Sequence, residues 1–180
     1  RLRCDWSSDV CSSDLLSLVF ADIEVPLVDG AKMFSPKIEG RILDSLDIQG
    51  HETVLEIGTG SGYFTSVLAK LSQSVVTIEL DEQLSESAQN KIKELNLNNI
   101  TFINDDALAY NFDNEQYDTI VIGCALPYKN ENFFRLLKPG GKLFMVVGGI
   151  NQMQATLVQR ANENEWQSKS LFETDRKSVV

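Results

Sequence analysis

The sequence predicts an α/β fold, a doubly wound and mostly parallel sheet that ends in a C-terminal antiparallel hairpin. Three observations carry this. In residues 54–63 a short apolar run of Val54, Leu55 and Ile57 meets the alternating glycines Gly58, Gly60 and Gly62, and a helical pattern of Phe64, Val67, Leu68 and Leu71 starts at once. The run reads as a buried parallel strand and the i, i+3, i+4, i+7 spacing as an amphipathic helix. Next, an acid, Glu79, closes the following strand-like run at 74–79. Finally, strands alternate with helices up to about residue 147 and then the rhythm breaks, which implies right-handed parallel crossovers followed by an antiparallel ending.

The glycine turn is where a ligand is expected. Glycines allow a sharp bend, positive φ and close backbone approach to a bound molecule. The unpaired amides of the new helix's first turn welcome a carboxylate or phosphate. Glu79 lies about twenty residues beyond the first glycine, where a doubly wound sheet sets a carboxylate beside the loop to accept from both ribose hydroxyls of an adenosine. Loop and acid together point to an adenosine-containing cofactor. A structural turn followed by an ordinary strand-end glutamate is the competing reading.

In chain order, residues 16–30 have too few periodic positions for a regular element and read as an irregular arm. Ser35-Pro36 opens a helix, with Ser35 as N-cap and Pro36 at the first helical position, and Ile38, Ile42, Leu43 and Leu46 form its apolar stripe. After Glu79, Asp81 caps a helix with Leu84, Ala88, Ile92 and Leu95 on one face, ended by residues 96–99. A strand at 100–104 precedes Asp105-Asp106-Ala107, and 108–117 is polar and unassigned. A fourth strand at 119–122 runs into Gly123-Cys124-Ala125-Leu126-Pro127. A helix around 132–137 is expected to stop at Lys138-Pro139-Gly140-Gly141, before a fifth strand at 142–147. Residues 154–160 and 166–172, separated by a turn at 162–165, read as the closing hairpin.

The two ends stand apart. Residues 4–15 resemble one reading frame of a translated sequencing adapter and 175–180 its opposing partner; Ser/Asp-rich native tails are the alternative. The expected domain therefore runs over 16–174 as a fragment, with 1–15 and 175–180 derived from the adapter. Cys4, Cys11 and Trp6 then leave the argument, and Cys124 alone gives no disulfide framework or CxxC metal site. The chain carries 26 acidic and 16 basic residues, a net charge of −10, and the ends contribute equally to both signs. Without a basic face, a duplex or tRNA would be repelled at long range. No apolar run has membrane-span length, so no membrane partner is expected. A single cysteine fits a reducing, cytoplasmic compartment.

Residues 54–63, Glu79, Asp105-Asp106-Ala107, Tyr117-Asp118 and Leu137-Lys138-Pro139-Gly140-Gly141 resemble the S-adenosylmethionine-dependent methyltransferases and their Rossmann-like sheet. More narrowly, Leu55-Glu56-Ile57-Gly58-Thr59-Gly60-Ser61-Gly62-Tyr63 with Val76-Thr77-Ile78-Glu79 resembles the protein-L-isoaspartate O-methyltransferase family, and supporting segments reach from 21–27 to 171–174. The resemblance implies repair of isoaspartyl residues in peptides and proteins, by methylation of their free carboxylate, in a monomeric enzyme. The third glycine falls one residue closer than in the dinucleotide fingerprint, which favours S-adenosyl-L-methionine over NAD. The implied cofactor site consists of Glu56, Gly58, Thr59, Gly60, Gly62, Glu79, Asp106 and Ala107. Loop amides near Gly60 and Gly62 would face the amino-acid end, Glu79 the ribose, Asp106 the adenine amino group, and the Ala107 amide the ring. Glu56 would either accept from the cofactor's ammonium or order the turn.

The chemistry asks little of side chains. A sulfonium methyl is already activated and an ionised carboxylate is already a nucleophile, so orientation and exclusion of water supply most of the acceleration. His51, the one histidine, precedes the first strand at the opposite end of the sheet and is not expected to be catalytic. In the isoaspartate family a Ser or Thr near the acceptor precedes a small-residue/Pro pair. Alignment on Pro36 puts Phe34 at that position, with Ser35 one place late. Ser35 is the catalytic candidate or only the N-cap. Cys124, Tyr63 and Leu126-Pro127 either line the pocket or pack. Three readings stay open: isoaspartyl methylation, a methyltransferase for a small molecule or RNA, and a truncated non-catalytic binder of an adenosine cofactor.

Overall fold

The computed structural model describes residues 22–24, 26–27, 32–113, 116–149 and 152–174. The adapter-like ends and most of the expected arm lie outside them. The elements run α1 (Pro36–Leu46), β1 (Thr53–Ile57), α2 (Tyr63–Leu71), β2 (Ser74–Glu79), α3 (Glu82–Glu94), β3 (Ile100–Asn104), β4 (Tyr117–Leu126), α4 (Glu131–Arg135), β5 (Leu137–Gly149), β6 (Gln152–Asn162) and β7 (Glu165–Thr174). They form one sheet in the order β3-β2-β1-β4-β5-β6-β7. The first four pairings are parallel, while β5–β6 and β6–β7 are antiparallel. The expected doubly wound sheet with its closing hairpin is thus the observed fold. The chain winds outward from β1 to β3 and returns to β4 on β1's other side, so the crevice at this reversal opens beyond the carboxyl ends of β1 and β4.

The central strands bury both faces, and their side chains alternate between two cores. Val54, Val75, Val121, Phe144 and Val146 join Ile42 and Leu46 of α1 and Phe64 and Leu68 of α2 on one side. Leu55, Ile57, Ile78, Ile120, Ile122, Leu143 and Met145 join Phe133 next to the other face. Successive residues of β4 and β5 therefore stabilise opposite layers, and a one-residue slip would turn each strand inside out.

The helix starts differ in how they are closed. Asp81 caps α3 as expected, accepting from the Leu84 amide at 2.9 Å. Ser35 occupies the N-cap position of α1 but makes no side-chain cap bond. Its hydroxyl instead donates to Asp22, whose carboxylate also accepts the Lys37 amide at 3.0 Å and is held below the usual carboxylate range, first by that amide and then by Ser35. A residue fifteen positions upstream closes this helix.

The Lys138-Pro139-Gly140-Gly141 segment corrects an expectation. Leu137 belongs to β5 and not to the preceding helix, pairing with Tyr117 ahead of a register shift. The Tyr117 amide donates to the Leu136 carbonyl at 2.7 Å, so pairing begins before the Pro-Gly-Gly irregularity. A Cβ on Gly141 would stand 2.8 Å from the Asp118 carbonyl oxygen, which requires glycine. Beside it, Asp118 Oδ2 accepts Lys138 Nζ, Thr53 N and Thr53 Oγ1, each at 2.8 Å. At the far end, buried Arg160 donates to the carbonyls of Leu137, Asn162 and Glu163, and Trp166 Nε1 donates to Phe134 O at 3.0 Å. These bonds fasten the hairpin to α4 and the start of β5. Among the described residues no helix is long and apolar enough to cross a membrane.

Candidate active site

At the reversal between β1 and β4 lies a cavity of about 510 Å³, within the usual range for small-molecule sites. Its floor follows from the strand ends. The Gly58 amide donates to Ile78 O at 2.8 Å, tying the loop to β2. Gly58, Gly60 and Gly62 have φ of 90°, 53° and 82°, values that glycine adopts without a Cβ clash. Gly123 meets Gly58 O with its missing Cβ at 3.1 Å, so β4 must be bare where it passes the loop.

Glu79 turns toward the loop. Oε2 accepts the Gly60 amide at 2.8 Å and Oε1 the Asp81 amide at 3.1 Å. Asn104 Nδ2 holds the Glu79 carbonyl at 2.8 Å, fixing the strand end from the neighbouring β3. Each carboxylate oxygen retains acceptor capacity for an incoming hydroxyl. Asp106 and Ala107 follow on the adjoining turn, where Asp106 Oδ1 accepts the Leu108 amide at 2.8 Å. Leu80 and Leu108 are exposed apolar side chains at this rim, 73% and 54% accessible, and both line the cavity. Sequence reasoning missed them, although Leu80's place directly after Glu79 was the available signal.

Glu56 is the most constrained group. It is 2% exposed, and Oε2 accepts Thr65 Oγ1 at 2.5 Å and Thr77 Oγ1 at 2.8 Å. Thr77 spends its one proton on Glu56, so across the 2.6 Å Thr59–Thr77 contact Thr59 is the donor. Burial pushes Glu56 up to about 8, opposed by the two threonines and reinforced by Glu79 and Glu39. Oε1 has no hydrogen-bond partner among the described residues, and the side chain lines the cavity. A buried polar atom facing the cavity without a partner calls for a ligand that supplies one. A ligand carrying an ammonium fits this donor set.

Of the expected cofactor residues, Glu56, Gly58, Thr59, Gly60, Glu79, Asp106 and Ala107 are brought together around the cavity. Gly62 is not. Its missing Cβ would lie 2.9 Å from Ala88 Cβ, so this glycine lets α2 pack on α3 instead of facing the cavity. Ser35 is also absent from the lining, its hydroxyl committed to Asp22, whereas Phe34 lines the wall and stacks edge-on against Phe144 at 6.2 Å. Ser35, expected either as the catalytic candidate or as the N-cap, thus holds the N-cap position outside the lining, and Phe34 stands on the wall. Cys124 and Leu126 line the cavity, while Tyr63 and Pro127 do not. His51 lies in the turn before β1, outside the cavity. Glu39, an unanticipated wall residue, sits at 6% exposure on α1.

Comparison with known proteins agrees with this geometry. Residues 9–175 match the family model described as protein-L-isoaspartate(D-aspartate) O-methyltransferase. A protein-L-isoaspartate O-methyltransferase of Petrotoga mobilis is 35% identical over 136 residues, 75% of this chain and 64% of the relative. One of Methanothermobacter thermautotrophicus is 30% identical over 162 residues, 88% of this chain and 75% of the relative. A solved protein-L-isoaspartate O-methyltransferase superposes with a TM-score of 0.80 at 21% identity, covering 92% of this chain and 55% of its own. A Plasmodium falciparum structure described as such an enzyme in complex with S-adenosyl-L-homocysteine gives 0.76 at 21% identity, covering 88% and 80%. The chain thus spans about two thirds of the length of the sequence relatives and shares the fold of the solved ones. With its model match across most of the sequence, this chain belongs to the protein-L-isoaspartate(D-aspartate) O-methyltransferase family.

Proposed function

We propose that the protein transfers a methyl group from S-adenosyl-L-methionine to the free carboxylate of L-isoaspartyl residues in damaged peptides and proteins. The observation that carries this is Glu79, held against the Gly60 amide at 2.8 Å on the wall of the cavity. Glu79 would take the ribose hydroxyls, Asp106 and the Ala107 amide the adenine, with Leu80 and Leu108 beside the ring, and Glu56 the ammonium. When bound, the cofactor supplies a methyl already activated on a sulfonium.

The chain's own part is positioning. Strand ends fix the loop and Glu79, Phe34, Ile57, Ile122 and Leu126 keep the interior apolar, and the acceptor carboxylate needs no base because it is ionised at neutral pH. Action as a monomer in the cytoplasm, without nucleic acid or membrane, accords with the net charge of −10. A second reading, transfer to a small molecule or RNA, is motivated by Phe34, which brings no hydroxyl to the acceptor side of the wall. Binding without transfer is the third. Labelled-methyl transfer to matched Asp and isoAsp peptides separates them. Label in the isoAsp peptide alone supports the proposal. Label in neither, with cofactor bound, supports a binder; label only in another acceptor supports the second reading.

A further inference from the structure

Glu56 and Thr77 are register partners on the neighbouring strands β1 and β2, so their side chains leave the sheet on the same face. Thr65 of α2 reaches the same carboxyl. Both threonines are fully buried, and both donate their hydroxyl protons to one oxygen, Oε2, at 2.5 and 2.8 Å. Neither has a proton left for Oε1, which faces the cavity without a partner among the described residues. A carboxyl only 2% exposed keeps its proton in the unliganded chain, because burial disfavours the charge. Glu39 from α1 and Glu79 from β2 act in the same direction, and the two threonines act against it. With Oε2 already filled by two donors, the carboxyl's own proton is left to Oε1. That is the oxygen a ligand meets.

We propose that Thr65 and Thr77 are positioning residues that place the carboxyl proton of Glu56 on Oε1, and that the α-ammonium of the cofactor's amino-acid half displaces this proton into solvent as it binds. This rests on the reading of the cavity as an S-adenosylmethionine site. The Oε1–H bond breaks and its proton passes to water, while the ammonium keeps its own three protons. The carboxylate so formed is compensated by the ammonium on Oε1 and by the two hydroxyls on Oε2. Cofactor binding is thereby coupled to the release of one proton and strengthens as pH rises. Among the described residues the other titratable groups of the wall are Glu24 and Lys32 before α1, Asp105 and Asp106 after β3, and Cys124 in β4. All of them are common to two ligands that differ only in the ammonium, so such a pair isolates Glu56.

Calorimetric titration of the full chain at about pH 7, in two buffers of different ionisation enthalpy, counts the protons. S-adenosylhomocysteine is expected to release close to one, and its desamino analogue, which keeps the nucleoside and the carboxylate, close to none. Affinity for S-adenosylhomocysteine should rise about tenfold between about pH 6 and 7 and level off above about 8, with the analogue flat within about twofold. Thr77→Val removes a donor from Oε2 and should move this rise to higher pH, weakening S-adenosylhomocysteine about threefold or more at pH 7 and leaving the analogue within about twofold. Thr77→Ser should restore the parent's curve. No proton released, the same number released by both ligands, or a Thr77→Val curve that coincides with the parent's would each overturn the proposal. Should Thr77→Val not fold, the parent's proton count decides alone. A parent that binds neither ligand overturns the cofactor reading itself, a result distinct from binding without proton release.

Discussion

The amide of Gly60 donates to Oε2 of Glu79 at 2.8 Å, across nineteen positions of sequence. A carboxylate at the end of β2 thereby orders the bend that follows β1, and the two parts of the cavity wall form one hydrogen-bonded unit. Preorganisation of this kind lowers the ordering cost of binding. In the proposed function, Glu79 would serve loop and ligand through the same two oxygens.

Gly62 separates packing from binding. An added methyl at φ 82° would meet Ala88 Cβ at 2.9 Å, in backbone and in space both unfavourable. Gly62→Ala should cost about 2 to 3 kcal/mol, and Gly140→Ala, at φ 86° with nothing within 4 Å, about 1 kcal/mol. Thermal melts check this: a drop at Gly62 no larger than at Gly140 contradicts the packing role.

Glu56 makes stability depend on pH with a definite sign. Its pKa rises on folding from 4.5 to about 8, so the folded chain holds a proton that the unfolded chain releases. That contribution is complete below pH 4.5 and is lost as pH rises toward 8. Glu56→Gln should flatten the decline. Melting curves of the unliganded parent and variant between about pH 5 and 8 measure it, and parallel slopes would refute the assignment.

Asp118 acts in the opposite sense. Burial raises its carboxyl, but Lys138 and Thr53 outweigh that and hold it below the ordinary range. Its stabilisation is present above the unfolded value of 3.8 and disappears as pH falls below it. Asp118→Asn should therefore destabilise at neutral pH and converge with the parent in acid; a constant difference across the range would contradict the Lys138 pairing.

Much of this was legible in the residues. The glycine bend, Glu79 and the Asp81 cap are local signals, and each dictates a short-range geometry that tertiary packing had no reason to override. Ser35 holds the N-cap position read from the sequence, but its hydroxyl bond goes to Asp22, which is distant in sequence and which local rules do not name. Leu137 was assigned to a helix because Pro139-Gly140-Gly141 reads as punctuation, whereas pairing with Tyr117 absorbs it as an irregularity within β5. Glu39 was overlooked because an acid on a helix is ordinarily solvated, whereas here it is buried on the cavity wall. Gly62 was grouped with its neighbours by pattern, and nothing in a pattern distinguishes contact with a ligand from contact with Ala88.

The most direct measurement is a calorimetric titration of the parent and Glu79→Ala with S-adenosylhomocysteine. Loss of charge-assisted hydrogen bonds to the sugar should weaken the variant about thirtyfold, or about 2 kcal/mol. Affinity within about twofold of the parent, or a parent that does not bind, would contradict the assignment of this cavity to the methyl donor.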